Sequence, residues 1–315
     1  MIYLVLLAIS GVLAAALTPA VRALGRRWGV LDVPSERKIH TESIPRIGGV
    51  GVTLAAVLSL AVVTALGWAS VADVAGWAPA LLGVIIVFGV GLRDDLKPVR
   101  PVVKLVFQVL AAIVAVSMGV RIDHLTLLGT THALGWLGVP VTILWIVGLT
   151  NAFNLMDGLD GLATGLAIIA AATCAAVSIS RGDTQGGLLL VALLGALCGF
   201  LPYNFNPATI FLGDSGSLVV GHVLAVTAIN GWQKGATALA VAVPLLIFAL
   251  PISETVMSVV RRTREAGIRH VFSADQDHIH HRLIALGLSH RDAVLLLYVV
   301  SLALALLALA TMRMR

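Results

Sequence analysis

About ten stretches of this chain are long and apolar enough to cross, or nearly cross, a lipid bilayer: roughly 2–21, 47–67, 77–92, 101–119, 137–154, 161–180, 186–201, 215–230, 235–253 and 293–311. No other feature limits the fold so strongly. A lipid core offers no water to backbone N–H and C=O groups, so a spanning segment must be a helix or part of a closed barrel. Runs of about 20 apolar residues with no period of two are helical. The segments near 77–92, 186–201 and 215–230 are short, so each is expected to borrow flanking residues or to tilt. Of the 315 residues, 59% are apolar and 12% charged, where an ordinary globular domain carries about 25% charge. A water-soluble domain, a disordered chain and a secreted disulfide scaffold are excluded. The expectation is an all-α, polytopic membrane bundle of about ten transmembrane helices filling 1–315 as one domain.

The placement of charge gives this bundle a direction. Connections after alternate spans hold 16 of the 21 Lys and Arg residues, from Arg22 to Arg46, Arg93 to Lys104 and Arg261 to Arg291. Of the 16 acids, 13 fall on the same side. By the positive-inside rule that side is cytoplasmic, and the N-terminus and C-terminus both lie outside. The cytoplasmic loops are then about 22–46, 93–104, 151–161, 202–215 and 254–292. The net charge of +5 is a topology signal and calls for no nucleic acid. The first segment lacks a basic start and does not resemble a signal peptide. Cys174 and Cys198 lie within spans, without metal spacing, and are expected to pack as two buried thiols.

Four polar clusters fall in these cytoplasmic connections. The first is Gly91-Leu92-Arg93-Asp94-Asp95-Leu96-Lys97. Adjacent carboxylates repel, so the pair calls for a cation or a retained proton; an acid-capped span end would look the same. The second runs from Asn151 through Asn154 and Asp157 to Asp160 and Gly161. In a helix, positions 151, 154 and 157 share a sector of about 120°. The third combines Tyr203-Asn204-Phe205-Asn206-Pro207 with Phe211-Leu212-Gly213-Asp214-Ser215-Gly216-Ser217. It lacks the Lys of a Walker loop. Its backbone donors and carboxylate suit either a metal–phosphate group at a helix N-terminus or a plain helix cap. The fourth is Asp277-His278-Ile279-His280-His281-Arg282, where protonatable His beside Arg suits an anionic substrate better than zinc. His222 stands alone in mid-span and is expected to be structural.

A soluble anionic donor and a lipid-borne acceptor, joined with Mg²⁺, would use all of these parts. A secondary transporter for an anionic metabolite is the rival from another class, although its substrate groups would lie near the midplane. A scaffold protein would explain none of the clusters.

Arg37-Lys38-Ile39-His40, Pro45-Arg46-Ile47-Gly48-Gly49 and the four clusters occur in an order that resembles the polyprenyl-phosphate N-acetylhexosamine-1-phosphate transferases, the membrane glycosyltransferase family 4. The His278–Leu283 loop resembles the branch that transfers N-acetylglucosamine-1-phosphate to undecaprenyl phosphate. It is less like the phospho-N-acetylmuramoyl-pentapeptide transferase branch, which stays the alternative. Glu254 stands where that pattern leads one to expect Asp.

The resemblance implies a reaction of UDP-N-acetylglucosamine with undecaprenyl phosphate at the cytoplasmic face of a bacterial inner membrane. UMP leaves, and the lipid product begins a cell-envelope polysaccharide such as lipopolysaccharide or teichoic acid. It implies Mg²⁺, with Mn²⁺ as a substitute, held by Asp214, Asn154 and Asp95. Asp94, Asp95, Asp157, Asp214 and His278 would be catalytic. Lys38, His40, Lys104, Asn151, Asp160, His280, His281 and Arg282 would bind substrate. The oligomeric state is left open, a homodimer included.

Overall fold

The computed structural model describes residues 1–32, 43–127, 130–233, 245–266 and 279–313. Among the described residues the helices are α1 (Ile2–Arg27), α2 (Gly48–Ala65), α3 (Val71–Leu96), α4 (Pro101–Ser117), α5 (Gly138–Met156), α6 (Leu162–Ser180), α7 (Thr184–Asn204), α8 (Asp214–Gln233), α9 (Ala249–Ala266), α10 (Ile279–Ala285) and α11 (His290–Arg313). Two antiparallel pairs accompany them: β1 (Leu31–Asp32) with β2 (Ile44–Pro45), and β3 (His124–Leu127) with β4 (Thr130–Ala133). Seven helices, α1, α2, α3, α5, α6, α7 and α11, are long and apolar enough to cross a bilayer, and α4 and α8 are shorter apolar helices. The protein is a polytopic helical membrane protein. Most of the span expected at 235–253 lies outside the described residues.

The short apolar segments do borrow their flanks. The run at 77–92 becomes the 26-residue α3 because a capping box starts it early. Ser70 Oγ accepts from Asp73 N at 3.1 Å, while Asp73 Oδ2 accepts from Ser70 N at 2.8 Å. Asp183 likewise starts α7, accepting from Gly186 N at 3.3 Å. The α4 helix begins on Pro101, whose missing N–H costs nothing in a first turn.

The centre of the bundle is α8, which packs on α2, α3, α5, α6 and α7. Every side chain from Ser215 to Ile229 is buried, as expected of a helix apolar on all sides. His222 is among them at 0% exposure, its imidazole facing Gly83 of α3. Around this centre, α1 packs on α7, α6 on α7 and α3 on α4. A Cβ on Gly199 would stand 2.1 Å from the Gly11 carbonyl oxygen, so α1 and α7 approach through their small residues. One expectation fails here. Cys174 is buried, but Cys198 is exposed, on the outward side of α7; its position places it among the apolar residues left for lipid.

Candidate active site where α3 and α5 end and α4 and α8 begin

The site is built around the turn that enters α8. Residues 45–49 run beside it: Phe211 N donates to Pro45 O at 2.8 Å, Gly48 N to Phe211 O at 2.9 Å, and Gly49 N to Leu212 O at 2.7 Å. A Cβ on Gly49 would meet Gly216 N at 2.0 Å, so only glycine lets these backbones touch. Gly213 has φ +73°, a left-handed conformation that favours glycine. It turns the next two N–H groups toward α3. There Asp95 Oδ1 accepts from Asp214 N at 2.9 Å and Oδ2 from Ser215 N at 3.0 Å. Asp157 Oδ2 accepts from Gly213 N at 3.1 Å.

Of the two readings of Gly213–Ser217, a metal–phosphate site or a helix cap, these bonds describe a cap. Its leading donors are already held by the protein's own carboxylates. The cap comes from Asp95, 119 residues earlier in the chain.

Asp94 and Asp95 are adjacent in sequence and differently placed. Asp95 is enclosed, with its side chain at 0% exposure. Asp94 keeps 10% and accepts from Val99 N at 2.7 Å, which fixes the turn after α3. Its Oδ2 also meets two cations, Arg46 Nη2 at 3.5 Å and Lys104 Nζ at 3.4 Å. Lys104 then reaches Asp214 Oδ2 at 2.6 Å, and Arg46 reaches Asp95 Oδ1 at 3.6 Å. Asp94, Asp95, Lys104, Asp157 and Asp214 are thus joined in one network, with Arg46 added.

Asp157 lies just past the end of α5. Burial, with Asp214 and Asp95 beside it, pushes its pKa up to about 8, against the opposing pull of the Gly213 N–H and Arg46. Asp157 therefore retains its proton at neutral pH.

The polar face expected on α5 is divided between two neighbours. Asn151 turns to α4, where its amide pairs with that of Gln108, and its Nδ2 also donates to Val147 O at 2.8 Å. Asn154 turns to α8 and donates from Nδ2 to Ser217 Oγ at 2.9 Å. Its carbonyl oxygen could serve a metal, since Ser217 lies one turn from Asp214 on α8. Asp160 does not join the network. Its Oδ2 accepts from Asn206 Nδ2 at 2.9 Å and Ala208 N at 3.0 Å, bracing the 206–208 turn.

Arg282 is exposed on α10, whose first N–H, at Ile279, is accepted by Glu254 at 3.1 Å. The longer side chain at 254 makes that contact from α9. Of His280 and His281 only the backbone, in α10, is described; Lys38, His40 and His278 lie outside the described residues. Two residues missed from the sequence are Arg46 and Gln108. Arg46 had a signal, being the one cation beside the Gly48-Gly49 pair; Gln108 was the lone amide in α4, one turn after Lys104.

Among the described residues no three His, Cys, Asp or Glu groups form a ready metal cage. The donors still fit Mg²⁺, which takes one or two carboxylates and completes its shell with water and substrate phosphate. Lys104, held between Asp214 and Asp94, marks where positive charge is wanted. Asp214 and the Asn154 oxygen suit an ion, while Asp95 stands behind them as the cap.

A family model described as glycosyl transferase family 4 matches residues 77–232. A Bacillus subtilis (strain 168) protein named probable undecaprenyl-phosphate N-acetylglucosaminyl 1-phosphate transferase is 36% identical over 289 residues, covering 90% of this chain and 78% of its own length. The chain belongs to glycosyl transferase family 4. Another relative is the decaprenyl-phosphate N-acetylglucosaminephosphotransferase of Mycobacterium tuberculosis (strain ATCC 25618 / H37Rv), 35% identical over 321 residues and covering 93% and 79%. The phospho-N-acetylmuramoyl-pentapeptide-transferase of Limosilactobacillus reuteri (strain DSM 20016) is 37% identical over 198 residues, covering 59% and 60%. The relatives named for N-acetylglucosamine phosphate transfer are thus matched over 90% and 93% of this chain, the pentapeptide transferase over 59%. This family 4 member is a sugar-phosphate transferase embedded in the membrane, and the transporter reading is set aside.

Proposed function

We propose that this enzyme transfers N-acetylglucosamine-1-phosphate from UDP-N-acetylglucosamine to undecaprenyl phosphate. UMP leaves, and undecaprenyl-diphospho-N-acetylglucosamine remains at the cytoplasmic face of a bacterial inner membrane. The reading rests above all on Lys104 bridging Asp214 at 2.6 Å and Asp94 at 3.4 Å. A carboxylate–ammonium cluster of this kind, at one end of apolar helices, suits a metal-assisted meeting of a nucleotide diphosphate and a lipid phosphate. The charge asymmetry of the loops supports the cytoplasmic side for that end, with both termini opposite.

In this mechanism an oxygen of the lipid phosphate attacks the β-phosphorus of the donor. A new P–O bond forms as the bond to the bridging oxygen breaks, and its electron pair leaves with UMP. Phosphate monoesters have a second pKa near about 6, so the acceptor is largely dianionic at neutral pH and needs no strong base. Mg²⁺, held by Asp214 and Asn154, would offset charge on the transferring phosphoryl group. Lys104 is free to turn from its two carboxylates toward a phosphate oxygen. Arg46 fixes Asp94 and Asp95, and Asp95 in turn fixes the start of α8. In this reading Arg282, exposed on α10, binds the sugar diphosphate, and His278, His280 and His281 share that task.

The test supplies membranes containing the protein with Mg²⁺, labelled UDP-N-acetylglucosamine and undecaprenyl phosphate, then measures label in the organic phase. Transfer dependent on both lipid phosphate and Mg²⁺ is expected. Preference for UDP-N-acetylmuramoyl-pentapeptide would move the protein to the other branch. A stoichiometric burst of UMP without acceptor would replace direct attack by a two-step route through an aspartyl-phosphate.

A further inference from the structure

The turn from Asp157 to Gly161 carries the carboxylate that accepts from Gly213 N at the start of α8, and its backbone also bonds to α11. Asp160 N donates to His290 Nε2 at 3.0 Å. The Tyr298 hydroxyl, two turns along α11, donates to Gly161 O. The Tyr298 ring lies over Gly165, where a Cβ would come within 2.0 Å of it, so Gly161 and Gly165 together make its seat. Arg291 places its guanidinium carbon 5.8 Å from the centre of the Phe205 ring, on the second turn braced by Asp160. Three side chains of one helix therefore hold both turns that border the site.

None of these three residues belongs to the sequence clusters, and α11 lies beyond the 77–232 segment matched by the family model. We propose that His290 and Tyr298 are positioning residues for the transfer reaction, pinning the 157–161 turn so that Asp157 stays on Gly213 N beside Asp214. His290 acts through an acceptor. To receive the Asp160 N–H its Nε2 must be unprotonated, so the ring is neutral with its proton on Nδ1. Tyr298 acts as a donor to the carbonyl of the next residue, Gly161. The two ties are opposite in polarity and sit on consecutive residues, Asp160 and the left-handed Gly161, φ +79°, where the chain leaves the turn to begin α6. Releasing either tie lets the turn rotate about that glycine. Displacements of about 1 Å in a reacting constellation cost up to about a hundredfold in rate.

The inference rests on the transferase reading above, and its test separates the two. Wild type, His290→Gln, His290→Phe and Tyr298→Phe are compared in the transfer assay with both substrates varied, alongside thermal unfolding in detergent. His290→Phe keeps a ring without an acceptor and is expected to lower kcat about tenfold, with both KM values within about twofold. His290→Gln restores an acceptor and recovers most of kcat. Tyr298→Phe keeps the ring in its seat and lowers kcat by a similar factor, with or without His290→Phe being recoverable as folded protein. Unchanged kcat in Tyr298→Phe, or a His290→Gln variant as impaired as any His290→Phe obtained, overturns the proposal. Absence of transfer by the wild type would instead overturn the transferase reading itself.

Discussion

The two ends of the helix bundle use the same acids in opposite ways. At the end formed by β3–β4 and the starts of α3, α5 and α7, each acid serves its own neighbourhood. Asp73 closes a capping box with Ser70, Asp183 caps Gly186, and Asp123 pairs with Arg121 at 3.0 Å. At the other end the partners come from far along the chain. Lys104 meets Asp214 across 110 residues and Asp95 reaches the start of α8 across 119. A helix cap needs only the residues next to it. Acids brought together over such distances, despite mutual repulsion, are more costly to assemble, and this cost is what makes that end the candidate site.

The strongest challenge to this contrast is Asp214→Asn. It removes the carboxylate that meets Lys104 and suits the metal, and transfer is expected to fall on the order of a hundredfold or more. Normal transfer would show that the long-range cluster is structural. Next is Asp95→Asn, which keeps one acceptor oxygen and turns an amide NH₂ toward the other of the two buried backbone donors, Asp214 N and Ser215 N. A loss of about 1–3 kcal/mol in stability is expected, with impaired transfer, read by unfolding in detergent and by the assay.

A smaller effect concerns pH. Burial, with Asp214 and Asp95 close by, pushes the Asp157 pKa up from its ordinary value of 3.8 to about 8. Between these values the folded state retains a proton that the unfolded chain has released, so this group's contribution to stability declines as pH rises toward and through 8. Unfolding midpoints in chelator should show that decline between about pH 5 and 9, and Asp157→Asn should flatten it. An equal slope in both proteins would refute the assignment. The smallest effect belongs to the opposite end: Asp73→Ala should cost about 1 kcal/mol or less and leave transfer unchanged. A loss of transfer there would dissolve the distinction between the two ends.

Much of this was readable in the chain because lipid enforces a simple rule. A segment that must satisfy its own backbone announces itself by length and apolarity, and α1, α2, α5 and α6 lie close to where hydropathy puts them. The early start of α3 was legible too, in the Ser70–Asp73 spacing, but needed capping chemistry rather than hydropathy. Asp94, Asp95, Lys104, Asp157 and Asp214 stood out as polar groups in a polar-poor sequence, and they meet. Their individual tasks did not show. Asp94 and Asp95 look interchangeable until the fold encloses one and leaves the other facing Lys104. Asp160 resembles a second site carboxylate, yet it holds the 206–208 turn. Such differences depend on partners dozens of residues away, which local spacing does not encode.

The burial of α8 from Ser215 to Ile229 also has a consequence for biogenesis. Among the described residues, the helices packed on it, α2, α3, α5, α6 and α7, precede it in the chain, so this lining exists before α8 is made. Arriving late, it closes a waiting socket, and its first turn docks on Asp95 and Asp157. Damage to α3 or α5 should thus surface during synthesis as failure to retain α8, before any catalytic defect can be measured.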